Sequence, residues 1–271
     1  MINNFFSIII CCYNSEQYLE NTIDSVINQN YSNWELLLID NGSVDKTESI
    51  IKKYLKLNNN IYFYKEKNIG LSNARNKGLN KSKSDWIVLL DHDDIMSQNR
   101  LNYHNQDINS HKNINFFFGD AKIFDDSGIL NNRFKISIEK DNFNPTNLNL
   151  KKKYGFINLV QYGCFIVSST VCFNKKVFMK VNKFNSKYKF ISDYIFFLDV
   201  SKHYDIFCSE QIFCEWRMHS NQSTNKLKST YFYELNILYF LFYFNRFIGL
   251  KLKFIILIKN LKLIINFLLK K

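Results

Sequence analysis

The sequence predicts an α/β fold built on a mostly parallel central sheet with helices on both faces, and a helical appendage at the C-terminus. Two observations carry this expectation. Short apolar runs alternate with segments whose apolar residues recur at helical spacing. The runs are apolar at successive positions, as strands buried on both faces require. At 271 residues and 46% hydrophobic, the chain is long enough to bury a sizeable core.

Taken in order, "FFSIII" (5–10) is the first strand. "YNSEQYLENTIDSVINQ" follows as a helix with Leu19, Ile23, Val26 and Ile27 on one face and Ser15 as its N-cap. "WELLLI" (34–39) and "DKTESIIKKYLKL" form the next strand and helix. "IYFY" (61–64) leads into the helix "GLSNARNKGLNKS", and "WIVLL" (86–90) closes the series before the helix "SQNRLNYHNQDI". From residue 114 the period changes. "NFFFGDAKIFDDSGIL" reads as two strands turning at Asp126-Ser127-Gly128, and residues 131–160 read as a long irregular excursion. "FIVSSTVCF" reads as a strand, "NKKVFMKV" as a short helix and "SDYIFFLDVSKHY" as a longer one. The expected division is a main domain over 1–225, with halves 1–120 and 121–225, and a tail over 226–271.

Composition bounds the partners. A net charge of +12 favours something anionic: nucleic acid, an acidic membrane surface or a phosphorylated small molecule. The six cysteines show no C-x-x-C pairing, and several lie within apolar runs, which suits a reducing compartment. No charged segment followed by a long apolar one opens the chain, so no secretory leader is expected. The tail from Tyr231 is apolar but punctuated by Arg246, Lys251, Lys253, Lys259, Lys262, Lys270 and Lys271. Such a pattern suits helices lying in the interface of an anionic membrane; the plainer alternative is packing on the core or another subunit.

Parallel sheets bind ligands at the carboxyl ends of their strands. The polar residues there are Tyr13 and Asn14, then Asp40, Asn41, Gly42 and Ser43, then Asp91 to Asp94. Three polar strand ends on one edge suggest a site. A D-x-D-D run can hold a hard divalent cation, which would offset the repulsion among its carboxylates; taken alone it also suits a solvated turn. His92 lies between carboxylates, yet hard cations prefer oxygen and a local hydrogen bond explains it. Arg75 suits phosphate recognition through its planar, permanently charged fork, or is a surface residue. Asp193 is either a helix-start residue or a general base. Arg217 and His219, at i and i+2, share one side of a strand and could meet a diphosphate or a metal.

Together these motifs resemble glycosyltransferase family 2, the inverting enzymes of the GT-A fold. The resemblance lies in "FSIIICCYNSEQYLENTIDSVINQNYSNWELLLIDNGSVDKT", "NIGLSNARNKGL", "LLDHDD", "FGDAKIFDDSG" and "ISDY…WRMHSNQS", in that order over most of residues 5–225. It implies that Tyr13, Asn14, Asp40, Asn41, Arg75, Asp91 and Arg217 hold a nucleotide-sugar. Asp93, Asp91 and His219 would hold Mn2+ or Mg2+, Asp94 would support them or face the acceptor, and Asp193 would be the base. The implied partners are a nucleotide-sugar, UDP-linked by expectation, and a glycan or lipid-linked glycan acceptor, with no nucleic acid. The implied location is cytoplasmic, on the inner face of the membrane. Three departures stand out: Cys11 or Cys12 in place of a common Pro, Asn41 in place of a second Asp, and Ser192 where Glu is common. Rival readings are a metal-dependent phosphodiester or nucleotidyl-transfer enzyme, a haloacid-dehalogenase-type phosphatase and a non-catalytic sugar-binding scaffold. The phosphatase wants Thr where Ile95 stands.

Overall fold

The computed structural model describes residues 2–220, 222, 228–243 and 248–269. The first half follows the sequence closely: β1 (Phe6–Cys12), α1 (Leu19–Ile27), β2 (Trp34–Asp40), α2 (Thr47–Leu55), β3 (Ile61–Lys65), α3 (Leu71–Lys81) and β4 (Trp86–Leu89). These four strands are parallel, in the order β3-β2-β1-β4. Side chains of β1 alternate between two cores. Ile9 and Cys11 join one with Leu37, Ile39 and Leu89, while Phe6, Ile8, Ile10 and Cys12 join the other with Leu36, Leu38 and Val88. Both faces are thus apolar because helices cover both. Helices α1, α2 and α4 (Arg100–Ser110) lie on the second core and α3 on the first.

Beyond β4 the sheet becomes mixed. β5 (Ile95–Met96), β6 (Phe116–Asp125), β7 (Gly128–Asn132), β8 (Cys172–Asn174) and β9 (Phe207–Arg217) extend it as β4-β8-β6-β9-β5, with β7 on β6. β6 and β9 are parallel, whereas β4–β8, β8–β6, β9–β5 and β6–β7 are antiparallel. The parallel character expected of the sheet therefore belongs chiefly to its first four strands.

Three local expectations are corrected. Residues 131–160 are not an irregular excursion: they hold the end of β7, then α5 (Arg133–Asp141), a short 3-10 turn and α6 (Tyr154–Tyr162). "FIVSSTVCF" is strand only from Cys172, because a 3-10 turn occupies Ser168–Thr170. Ser15 does not cap α1 with its side chain; its hydroxyl accepts from Tyr13 N–H, and its carbonyl accepts from Leu19 N–H.

Helix α7 (Ser192–His203) packs on the first core through Tyr194, Phe196, Phe197, Leu198 and Val200. The tail forms α8 (Lys228–Tyr243) and α9 (Leu250–Leu269), whose Leu235, Leu238, Phe242 and Ile256 are buried in that same core. Packing on the core, the plainer alternative, thus describes one side of the tail. Lys259 also turns inward and donates to the Gln161 carbonyl. Arg246, Lys270 and Lys271 lie outside the described residues. No helix among the described residues is long and apolar enough to cross a membrane.

Candidate active site

The parallel register sets the strand ends side by side. Cys12 pairs with Asp40, and Ile9 with Leu89, so the turns after β1, β2 and β4 open on one edge. The first two turns are laced together. Asn14 N–H donates to Ser43 Oγ at 2.9 Å, and Asn14 Oδ1 accepts from Val44 N–H at 3.0 Å. Asn14 adopts a φ of 50° to do so, a conformation that Asn tolerates better than most residues. Gly42 has a φ of 84°, and a Cβ there would stand 2.8 Å from Asn68 N, so both conformation and close approach require glycine. Tyr13 is exposed at the rim.

Asp40 is fully buried. Its Oδ1 accepts from Ser43 N–H at 3.0 Å, while Oδ2 has no hydrogen-bond partner among the described residues. Buried carboxylate oxygens are rarely left so, which makes Oδ2 available to a ligand donor. Asn41 is committed differently: its side-chain oxygen accepts from Ile69 N–H at 2.8 Å, tying the turn after β2 to the approach of α3.

Arg75 is the centre of the second group. Gly78, one turn further along α3, lets the helix lie close on β1; a Cβ there would meet Ile9 Cγ2 at 2.6 Å. Arg75 is consequently 3% exposed, yet it spans two carboxylates, donating through Nη2 to Asp91 Oδ1 at 2.9 Å and through Nη1 to Asp193 Oδ1. Burial works to lower the guanidinium's proton affinity, and Asp193 and Asp91 more than reverse this, so it remains a cation. Ser168 Oγ donates to Asp193 Oδ2 at 2.6 Å, and Ser169 Oγ accepts from Asp91 N–H at 3.0 Å. Burial raises the Asp91 carboxyl above its ordinary value; Arg75 opposes this, and Asp93 and Asp193 add to it.

The third group joins the turn after β4 to the end of β9. Asp93 Oδ2 and His219 Nε2 lie 3.0 Å apart, with side chains 14% and 12% exposed. Arg217 donates through Nε to the Asp93 carbonyl and through its backbone N–H to Asp94 Oδ1, both at 3.0 Å. Its guanidinium lies over the rings of Tyr18 and Phe124. Asp94 is buried, and burial with its neighbours Asp93 and Asp91 holds its carboxyl well above the ordinary range. It therefore serves as a stitch between chain segments. His92 offers its backbone carbonyl to Thr22 Oγ1 at 2.9 Å. Among the described residues, no three His, Cys, Asp or Glu side chains already converge on one point. Asp93 Oδ2 and His219 Nε2 bond each other directly, so a cation held there would exchange that bond for its own; Mn2+ accepts an imidazole beside a carboxylate more readily than Mg2+, which prefers oxygen.

The family model described as glycosyl transferase family 2 matches residues 7–181. The chain belongs to glycosyltransferase family 2. Asp40, Arg75, Asp91 and Asp93 lie within the matched stretch, while Asp193, Arg217 and His219 lie beyond it. This family 2 chain is 37% identical over 156 residues to the minor teichoic acid biosynthesis protein GgaB of Bacillus subtilis (strain 168), a match covering 51% of this chain and 17% of GgaB. The chain thus spans a minor part of that relative's length. In fold it is similar to the crystal structure of S. aureus TarS 1-349 in complex with UDP-GlcNAc, with a TM-score of 0.71, 17% identity and coverage of 96% of this chain and 72% of that one. It is also similar to the mannosyltransferase PcManGT from Pyrobaculum calidifontis in complex with GDP-Man and Mn2+ (TM-score 0.58, 12% identity, 88% of this chain and 63% of that one). These likenesses establish the GT-A architecture.

Sequence reading missed Ser168, which donates to the Asp193 carboxylate, and Ser169, which accepts from the Asp91 backbone N–H. It also missed Arg100, fully buried beneath them, which donates to the carbonyls of Ser169, Leu89 and Val171. "SST" inside an apolar run is a usable signal for the first two, since serines at 168 and 169 interrupt an otherwise strand-like segment. Arg100 stands in the first turn of α4, where no local acid explains it.

Proposed function

We propose that the chain is a metal-dependent inverting glycosyltransferase that moves a sugar from a UDP-sugar to a hydroxyl of a cell-surface glycan. The observation that carries the reading is the convergence of Asp91 and Asp193, from the two halves of the chain, on the buried Arg75. Asp193 takes the acceptor's proton as its oxygen attacks the anomeric carbon and the bond to the diphosphate breaks. The Ser168 hydroxyl already donates to Asp193 Oδ2 at 2.6 Å, the approach an acceptor hydroxyl needs. One base and one stabilised leaving group suffice for a single displacement, which inverts the anomeric centre. Asp40 Oδ2 accepts from the nucleobase, with Tyr13 and Asn14 forming the rim. Arg75 orients Asp91 towards the donor, and Arg217 brings a second positive charge to the diphosphate side. Asp93 and His219, with Asp91, would hold Mn2+ or Mg2+, which when bound supplies positive charge against the leaving diphosphate.

GgaB is named for minor teichoic acid biosynthesis, which supports a surface polymer as the acceptor. The tail supports work at a membrane. Ile237 and Phe240 on α8, and Leu250, Phe254, Leu257 and Leu261 on α9, expose apolar area on the side away from the core. Helices of this kind bury such faces among headgroups and acyl chains. In this reading the chain is cytoplasmic and peripheral on the inner face.

The test is nucleotide release from a panel of UDP-, GDP- and dTDP-sugars, with Mn2+ or with EDTA, beside thermal shift with each donor. UDP release that needs the cation is expected. Binding of no nucleotide-sugar at all overturns the proposal.

A further inference from the structure

Helix α8 supplies a carboxylate to the segment that carries Asp193. Glu234 is the only acidic residue after Glu215 in the sequence. It is 8% exposed, on the side of α8 that also buries Leu235 and Leu238. Its two oxygens accept three successive backbone N–H groups: Oε1 from Lys189 at 2.7 Å, and Oε2 from Phe190 at 2.9 Å and Ile191 at 3.2 Å. Those amides immediately precede α7, whose first turn contains Asp193. N–H groups at a helix entrance have no partner within the helix, and a carboxylate there complements both the donors and the helix dipole. Ile191 and Ser192 are each 2% exposed, so water is a poor substitute acceptor.

We propose that Glu234 is a positioning residue: it fixes the backbone from which Asp193 reaches Arg75 and Ser168, and so makes α8 part of the catalytic apparatus. The inference rests on Asp193 being the base. A helix that merely covered the core would need no carboxylate at this point, since Leu235, Leu238 and Phe242 already dock it.

The test uses the full chain with Glu234→Ala and Glu234→Gln. In Glu234→Ala, hydrogen exchange at the amides of 189–191 rises about tenfold or more, while exchange across 91–94 stays as in the parent. UDP affinity stays within about twofold, and turnover of UDP-GlcNAc at saturation, read as UDP release, falls about tenfold or more, as misplacement of a reacting group costs. Glu234→Gln retains a carbonyl acceptor and restores turnover to about threefold below the parent. Unchanged exchange at 189–191, or unchanged turnover in Glu234→Ala, overturns the proposal. Should Glu234→Ala lose UDP binding along with turnover, Glu234→Gln decides: reduced turnover with intact UDP binding supports the proposal, and undiminished turnover overturns it. If the parent releases nucleotide from no sugar donor, the functional reading has failed; the exchange at 189–191 then decides the placement alone.

Discussion

Arg75 holds together two carboxylates that would repel one another, and its burial strengthens each attraction by excluding water. The arrangement separates orientation from reaction: one Asp193 oxygen faces the guanidinium and the other a hydroxyl. Asp193→Asn is expected to lower turnover by roughly 10²–10⁴ while UDP affinity changes by less than about twofold, measured by UDP release and calorimetry. Retained turnover would assign the base elsewhere. A second carboxylate, away from the site, governs stability. Asp120 on β6 is 6% exposed, and its Oδ1 accepts from Ala121 N–H and from Phe134 N–H in the first turn of α5. Burial raises its carboxyl above 3.8, against the pull of those bonds and of Arg133. The folded state therefore binds this proton more tightly than the unfolded chain does. On this group's account, stability rises as pH falls through the folded value towards 3.8 and is lowest above it. Asp120→Asn keeps the acceptor oxygen and removes the charge. Its Tm should exceed the parent's at pH 8, with the gap closing as pH approaches 4; a gap independent of pH would refute the assignment.

Helix α3 shows how an element can be set by one missing methyl group. Gly78→Ala places a Cβ 2.6 Å from Ile9 Cγ2, and β1 is held between β2 and β4. A loss of about 1–3 kcal/mol is expected, overpacking outweighing the gain in helix propensity, read from chemical denaturation. Stability equal to or above the parent's would show that α3 can lift. The elements of the first half were legible because parallel strands covered on both faces are near-continuous apolar runs, as the buried "LLLI" of β2 shows. The region 131–160 was not legible for the opposite reason. α5 buries only Phe134 and Ser137, so it carries no apolar stripe, and α6 begins after Lys153 in a left-handed conformation without a side-chain cap. In the site, Asp40, Asp91 and Asp93 announce themselves as charges directly after apolar strands. Ser168, Ser169 and Arg100 do not, because their partners are carboxylates, amides and carbonyls far along the chain.

At the scale of the whole molecule, the tail has two faces with separate tasks. Leu235, Leu238, Phe242 and Ile256 complete the core, whereas Ile237, Phe254 and Leu257 project outward. Removing the tail would expose core area, so replacement of the outer face is the cleaner test of membrane binding. Ile237→Ser, Phe254→Ser and Leu257→Ser together should weaken sedimentation with vesicles containing anionic lipid by about tenfold or more, with Tm nearly unchanged. Undiminished sedimentation would assign the face to another partner. The bonds of Glu234 have a further consequence for recombination among relatives. Residues 189–191 take their acceptor from α8, and Phe184 exchanges two hydrogen bonds with Asn76 on α3. A crossover placed between 191 and 234 would join the entrance loop to a foreign helix, and the contact would survive only where that helix places a carboxylate at the position of Glu234. A chimera exchanged as one cassette from the loop through α8 would carry both halves of that contact. Exchange by cassette should therefore preserve folding and turnover whatever the foreign α8 carries, whereas exchange of the helix alone should do so only where a carboxylate is kept at 234.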